Sequence, residues 1–447
     1  MSVVIDATSF SGKYGADNNI GDIIHVHIKV EADDIWSNNK EVILLLDVSG
    51  SMDRSMKSIK SSTLAFRDAL LGKTHREMEA LGPDVRDTMI RNSIAIRIIT
   101  FSNDAKEVWS NQSEERFEDM IVNLESEAMT NMGDALKLAF SKVDPNKYTW
   151  IIAMTDGNSN KGPCKTANSF NRLVTSGKPL NSKIVTLGYG ENFDPEVLNR
   201  IGSFVYLEDS EMIPVVLGNL AEEIIKSVGF NCVIDLPNAN LPSDLNDDTI
   251  IVPDGQDDNI PGKIIVGHRV VGPICAGKEY DYIYLPHGNN QSQSTLEKYD
   301  SVSIRYKDII TDDNVHILHP ISHSGESPSE RIREMFFESE SKRLIHRLYN
   351  VIQKARTDTI QKETRIIRRI VDSWSDNVSE PYKDDIVNML ETVRNDDASG
   401  TRLASTALNY AVGTGYTISD DLDGYAEMTL TATQHYLTSP LLNNNSI

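Results

Sequence analysis

Glu41-Val42-Ile43-Leu44-Leu45-Leu46-Asp47-Val48-Ser49-Gly50-Ser51-Met52 is the stretch that decides the fold. An apolar run this short cannot span a membrane. Stopped by an acid and then by two hydroxyl residues at alternate positions, it reads as a strand buried on both faces, as in a parallel α/β sheet. Asp47, Ser49 and Ser51 are then expected on the loop leaving the carboxyl end of that strand. Open α/β sheets bind their ligands at that edge. Side chains offering only oxygen there suit a hard cation such as Mg²⁺.

Downstream, Met56, Ile59, Thr63, Phe66 and Leu70 recur in steps of three and four, which predicts a helix over 54–71. A charged helical insert follows at 72–92, then a buried strand over 94–101 and a short edge strand closing at Val108 and Trp109. Helices are expected over 117–124 and 131–140. Further buried strands follow over 149–154, ending in Thr155-Asp156-Gly157, over 184–187, ending in Gly188-Tyr189-Gly190, and over 204–207. A helix over 213–228 closes the series. Strands alternating with helices imply parallel crossovers, hence a doubly wound, mostly parallel sheet covered on both faces.

The flanks have a different texture. Residues 1–21, rich in Ser, Gly, Asn and Asp, read as a flexible N-terminal arm. Ile24, Val26, Ile28 and Val30 alternate with His25, His27 and Lys29, the pattern of a half-buried antiparallel strand. His25 and His27 share a face, and a solvated face is favoured over a metal pair because no third ligand stands near. Over 229–325, short β-like runs (232–236, 250–252, 263–271, 280–285, 301–306, 315–318) are broken by Pro, Gly, Asn and Asp, as in a small antiparallel β-sandwich. The strand segment 22–40 is expected to join that sandwich, leaving the α/β domain, 41–228, inserted in it. Residues 326–440 read as a helical region, with apolar positions at Ile332, Met335, Phe336, Leu344, Ile345 and Leu348, then at Ile366, Ile367, Ile370, Val371 and Trp374. Its segment 399–416, rich in Gly, Ala, Ser and Thr, fits either a close-packed helix or a loop. The tail, 441–447, reads as disordered.

Composition narrows the classes of function. A chain of 447 residues suggests two to four domains. A formal net charge of −22 weighs against nucleic acid, whose binding rests on phosphate neutralisation. No apolar run approaches a membrane span, and the start lacks the basic and apolar regions of a secretory signal, so a cytoplasmic location is expected. Three well-separated cysteines, Cys164, Cys232 and Cys275, argue against a disulfide framework and for a reducing compartment. Gly188-Tyr189-Gly190 lacks the third glycine of a dinucleotide loop, and no P-loop is present. His316, His319 and His323 are read as a surface loop rather than a zinc site, since no Cys accompanies them. Ser49 has no general base beyond the carboxylates around it, so nucleophilic catalysis lacks its second member.

Three pieces carry the chemistry: Asp47-x-Ser49-x-Ser51, Thr130 in Met129-Thr130-Asn131-Met132-Gly133, and Asp156 in Thr155-Asp156-Gly157. Each falls at the carboxyl end of an expected parallel strand or on the neighbouring loop. Together they make residues 41–228 resemble the von Willebrand factor type A domain, a Rossmann-like fold, with its metal-ion-dependent adhesion site. The resemblance implies that Ser49, Ser51 and Thr130 coordinate Mg²⁺ (or Mn²⁺) through hydroxyl oxygens, and that Asp47 and Asp156 hold coordinated waters. The flanking strand, sandwich and helices are similar to proteins that pair this domain with a hedgehog/intein-associated module, including plant wavy-growth ubiquitin ligases. Val26-His27-Ile28-Lys29, Gly202-Ser203-Phe204-Val205-Tyr206, Ala404-Ser405-Thr406-Ala407 and Tyr436-Leu437-Thr438-Ser439-Pro440 carry that likeness. The RING cysteines of the ligases are absent from this sequence, so their activity does not carry over. The insert at 72–92 is longer than usual for the domain.

The resulting expectation is a non-enzymatic, intracellular protein-interaction module in which the metal captures a Glu or Asp of a protein partner. One alternative is a non-catalytic subunit of a ubiquitin-ligase or AAA-type ATPase assembly. The other is a metal-dependent hydrolase, which would need a base aimed at a metal-bound water.

Overall fold

The computed structural model describes residues 2–13, 20–32, 39–207, 210–236, 239–240, 268–286, 300–324, 326–338, 341, 344, 348, 357–372, 374, 379–395 and 424–438. The runs expected at 250–252 and over most of 263–271, the segment 399–416, Ile345 and the tail 441–447 lie outside the described residues.

Strand β3 (Lys40–Asp47) is the axis of the α/β domain, and all eight of its residues are buried. Successive side chains leave a strand on opposite faces. Val42, Leu44 and Leu46 accordingly enter one core, with Ile59 and Phe66 of α1 (Met56–Leu70) and Leu220 and Ile224 of α8 (Ile213–Lys226). Ile43 and Leu45 enter the other, with Leu136 of α5 (Met132–Lys142), Phe170 of α6 (Ala167–Gly177) and Leu198 of α7 (Pro195–Ile201). The two charged residues at the start of β3 are buried but satisfied, as buried polar groups must be. Lys40 Nζ donates to the Ile225 carbonyl at 2.7 Å, and Arg97 Nε donates to Glu41 Oε1 at 2.8 Å. Burial lowers the Lys40 ammonium to about 8.

With β4 (Ala95–Phe101), β5 (Ala105–Ser110), β6 (Tyr148–Gly157), β7 (Ser182–Asn192) and β8 (Ser203–Leu207), the sheet runs β5–β4–β3–β6–β7–β8. Only the edge pair β4–β5 is antiparallel. The chain passes from β3 to β4 on one side and later returns to β6 on the other. The crossovers therefore diverge at the carboxyl end of β3, and that divergence opens the crevice in which doubly wound sheets bind ligands. The insert is helical: α2 (His75–Glu79) starts on a Thr74/Glu77 capping box, and α3 (Pro83–Arg91) starts on a proline.

The α/β domain is inserted between β2 (Ile20–Glu31) and β9 (Ser227–Asp235) of a two-sheet sandwich. With β1 (Ser2–Lys13), β10 (Ala239–Asn240), β11 (His268–Cys275), β12 (Glu279–Pro286), β13 (Ser301–Asp308), β14 (Asn314–Pro320) and β15 (Ser322–Ser324), its sheets run β10–β12–β2–β1–β15 and β11–β9–β13–β14. Ile5, Ala7, Val26 and Ile28 of the first sheet pack against Cys232, Ile234, Val302 and Ile304 of the second. The N-terminal arm expected over 1–21 is corrected here. Ser2–Lys13 pairs antiparallel with β2 along its whole length, because Val3, Ile5 and Ala7 alternate toward the core with Ser2, Val4, Asp6 and Thr8 on the other face. Ser9 is fully buried, bonded to the Ser322 carbonyl and, at 2.7 Å, to His323 Nδ1.

Two histidine groups also differ from expectation. His25 Nε2 and His27 Nδ1 lie 2.9 and 2.8 Å from the same oxygen, Asp281 Oδ1, on the neighbouring strand, so their face is a hydrogen-bonded cluster rather than a solvated one. His316 and His319 lie on β14 and His323 on β15, so the strand expected at 315–318 takes in His316 and runs on through His319, where a loop is expected. His316 bonds Ser303 Oγ at 2.8 Å, while His323 turns to Ser9, so the trio does not converge.

The helices of the region expected over 326–440 pack in two places. The helix at 330–338, α10 (Thr357–Asp372) and α11 (Glu380–Asn395) share a core of Phe336, Phe337, Ile367, Trp374 and Ile386 with Ile23 and Ile283 of the sandwich. Helix α12 (Gly424–Thr438) instead packs on α1 and α8, sending Ala432 and Tyr436 into the core beneath β3.

Candidate metal centre

Strand β3 delivers Asp47 at its last residue, fully buried, and the chain then turns through Ser49 into a 3₁₀ turn, Gly50–Arg54. Asp47 Oδ1 accepts from the Ser49 N–H at 2.9 Å, and Oδ2 accepts from Thr155 Oγ1 at 2.5 Å. Ser49 Oγ lies 3.1 Å from Ser51 Oγ, which donates to Asp156 Oδ1 at 2.7 Å. Asp47, Ser49, Ser51 and Asp156 thus form one hydrogen-bonded chain running from a buried carboxylate to an exposed serine.

Thr130 is buried on the loop before α5. Its N–H donates to Asn160 Oδ1 at 2.9 Å, and its carbonyl accepts from the N–H groups of Asn160 and Lys161 at 3.0 and 3.1 Å. The Thr130 loop is therefore fixed to the loop that follows Asp156. It is also fixed to the first loop, since the Glu127 N–H donates to the Val48 carbonyl at 2.5 Å. A Cβ on Gly50 would stand 3.2 Å from the Glu127 carbonyl oxygen, so the close approach of the two loops favours a glycine there. Gly162 has φ +83°, and a side chain on it would overlap Asn131 Oδ1, the oxygen that caps α5.

Both carboxylates are held above their ordinary range. Burial pushes Asp47 up to about 6, against the opposing bonds from Thr155 and Ser49, and the charge acting on it is that of Asp156, of the same sign. Burial likewise raises Asp156. Two like charges withdrawn from water and met by neutral donors form a set that gains from a hard cation among its oxygens.

Sequence reasoning missed four supporting residues: Thr155, Asn160, Glu127 and Ser102, whose Oγ donates to Glu127 Oε2. The signal for Thr155 was within reach, since β3 and β6 are neighbours and Thr155 directly precedes Asp156. For the other three, only the loop contacts reveal the role.

Residues 41–208 match the model of the von Willebrand factor type A domain. No curated protein matches the chain in sequence. Among solved structures, the chain is similar to a von Willebrand factor type A protein from Catenulispora acidiphila, at 16% identity and a TM-score of 0.55, over 93% of this chain and 97% of that one. It is also similar to the ArnB paralog VWA2 from Sulfolobus acidocaldarius, at 14% identity and a TM-score of 0.50, over 92% and 98%. Both likenesses are of fold, and both extend over the sandwich and helices as well as the inserted domain. Residues 41–208 of this chain have the fold of a von Willebrand factor type A domain.

Proposed function

We propose that this chain is a non-enzymatic, divalent-metal-dependent protein-interaction module. The observation that carries the reading is the carboxylate pair, both members raised above their ordinary range by burial, linked through two hydroxyls at the divergent end of β3. Ser49, Ser51 and Thr130 would hold Mg²⁺ or Mn²⁺ through neutral oxygens, with Asp47 and Asp156 orienting its waters. A cation held by neutral hydroxyls keeps most of its charge for an open position, and that position favours a Glu or Asp carboxylate of a protein partner. Ser51, the exposed member, marks the side from which the partner approaches. The sandwich and helices would serve as a platform that fixes the domain's orientation.

Calorimetric titration with Mg²⁺ and Mn²⁺ tests this. The wild-type chain is expected to bind one equivalent, and Ser49→Ala to show no saturable heat. Equal heats in both would remove the metal from the reading. A finer effect is expected at Thr155. Thr155→Val keeps the shape but deletes the hydroxyl that orients Asp47, and should weaken metal binding by about 10–100-fold, the usual consequence of losing such a support. An unchanged Kd would show that Thr155 does not orient the site. No helix among the described residues is long and apolar enough to cross a membrane.

A further inference from the structure

The insert at 72–92 and helix α12 meet at a second cluster of ligand-type side chains. His75 opens α2, Glu79 stands one turn later on the same helix, and His435 arrives from α12. We propose that His75, Glu79 and His435 form a zinc-class metal site that ties the insert to α12.

The geometry is that of an incomplete tetrahedron. Glu79 Oε1 lies 3.3 Å from His75 Nε2 and 3.2 Å from His435 Nε2. Bonds of about 2.0–2.1 Å in a tetrahedral zinc site place neighbouring ligand atoms about 3.3–3.4 Å apart. Two of the three edges therefore already have the required length. All three ligand atoms lie within 4.8 Å of one another, so a modest turn of the exposed His435 ring closes the third. Among the described residues, no other trio of His, Cys, Asp and Glu converges this closely.

A second observation points the same way. His75 is more than nine-tenths buried, yet neither of its ring nitrogens has a hydrogen-bond partner. The 3.3 Å approach of Nε2 to Glu79 is off hydrogen-bond geometry. A buried imidazole with both nitrogens unsatisfied is unfavourable unless something else occupies a lone pair. Its other nitrogen, Nδ1, faces Asp68 Oδ2 at 4.0 Å. A carboxylate behind the distal nitrogen of a histidine is the arrangement that orients metal-bound imidazoles.

Two imidazoles and one carboxylate are a donor set for zinc rather than for Mg²⁺, which prefers oxygen throughout. Glu79 and His435 are both exposed, so the fourth position faces solvent and would carry water. The consequence is mechanical: the site joins two segments 356 residues apart in sequence across the flank of α1.

The test uses the full chain carrying Ser49→Ala, so that the first centre takes no metal. Zn²⁺ titration of this parent should give one equivalent, and Co²⁺ should give the visible absorption of a tetrahedral site. Glu79→Gln and His435→Gln, both at exposed positions where folding is undisturbed, should each weaken Zn²⁺ binding by more than about tenfold and abolish the Co²⁺ band. Failure of the parent to take up Zn²⁺, or unchanged affinity in either variant, would overturn the proposal. Neither result would bear on the first centre, which is measured separately with Mg²⁺ on the chain with Ser49 intact.

Discussion

Asp47→Asn is expected to stabilise the metal-free protein while erasing its response to Mg²⁺. Asp47 is fully buried, and burial raises its pKa from 3.8 to about 6. The sign follows from linkage. A carboxyl whose folded pKa lies above its unfolded value holds its proton more tightly when folded, so stability falls as pH rises between the two values. The penalty is absent below about pH 4, grows through pH 6 and is complete at pH 7. At about 1.4 kcal/mol for each tenfold change in proton affinity, it amounts to about 3 kcal/mol. Asparagine removes the charge and preserves the bonds: its oxygen can accept from the Ser49 N–H, and its amide can donate to Thr155 Oγ1, now acting as acceptor. The variant should therefore melt above the parent at pH 7 without metal and level with it near pH 4. Added Mg²⁺ should raise the melting temperature of the parent alone, and less at pH 5 than at pH 7, because protons then compete for Asp47. A variant that melts below the metal-free parent at pH 7, or that still responds to Mg²⁺, would show that Asp47 is not a strained carboxylate kept for a cation.

The α/β sheet was legible because β3 carries its whole environment in its composition. Eight buried residues, the last of them an acid, leave little choice of fold, and β6 beside it also runs into an acid at Asp156. Asp47, Ser49, Ser51 and Asp156 were legible as candidate positions for the same reason, since they sit at or just past the ends of β3 and β6, whereas Thr130 stands on the loop before α5 and is placed by no strand end. What holds them was not: Asn160 supports Thr130 through a loop with no periodicity, and the Glu127–Val48 link is made by backbone groups that any sequence supplies. At the N-terminus, Ser and Thr concealed the alternation of β1, because a strand facing a partner on each side tolerates small polar residues outward. Helix α1 shows the converse. Its spacing announces one apolar face, yet Ser61, Ser62, Thr63 and Arg67 are buried as well, because α12 covers the second face from a distance in sequence that no local pattern encodes.

That second face carries the other large expected effect. Arg67→Met should destabilise the protein by about 3–5 kcal/mol, the usual result of stranding one partner of a buried ion pair. Arg67 and Asp68 are essentially inaccessible to solvent. Arg67 Nε and Nη2 donate to Asp68 Oδ1 at 2.8 and 2.6 Å, Nη1 donates to Glu118 Oε1 at 3.0 Å, and Nη2 donates to Tyr436 Oη at 2.9 Å. Tyr436 in turn donates to Asp68 Oδ2 at 2.8 Å, so α12 is latched to α1 through a closed ring of bonds. Burial raises the Asp68 carboxyl even with Arg67 beside it, so without the guanidinium its charge would have little left to offset its desolvation. Arg67→Met combined with Asp68→Asn should recover most of the loss, since replacing both members of a buried pair is far milder than removing one. Chemical denaturation of the two single variants and the double variant measures the coupling directly. Tyr436→Phe should act more locally, speeding hydrogen exchange in α12 while leaving β3 protected. Losses that simply add in the double variant would mean that Arg67 acts through its packing on Phe117, 5.6 Å from the ring centre, rather than through the charge it shares with Asp68.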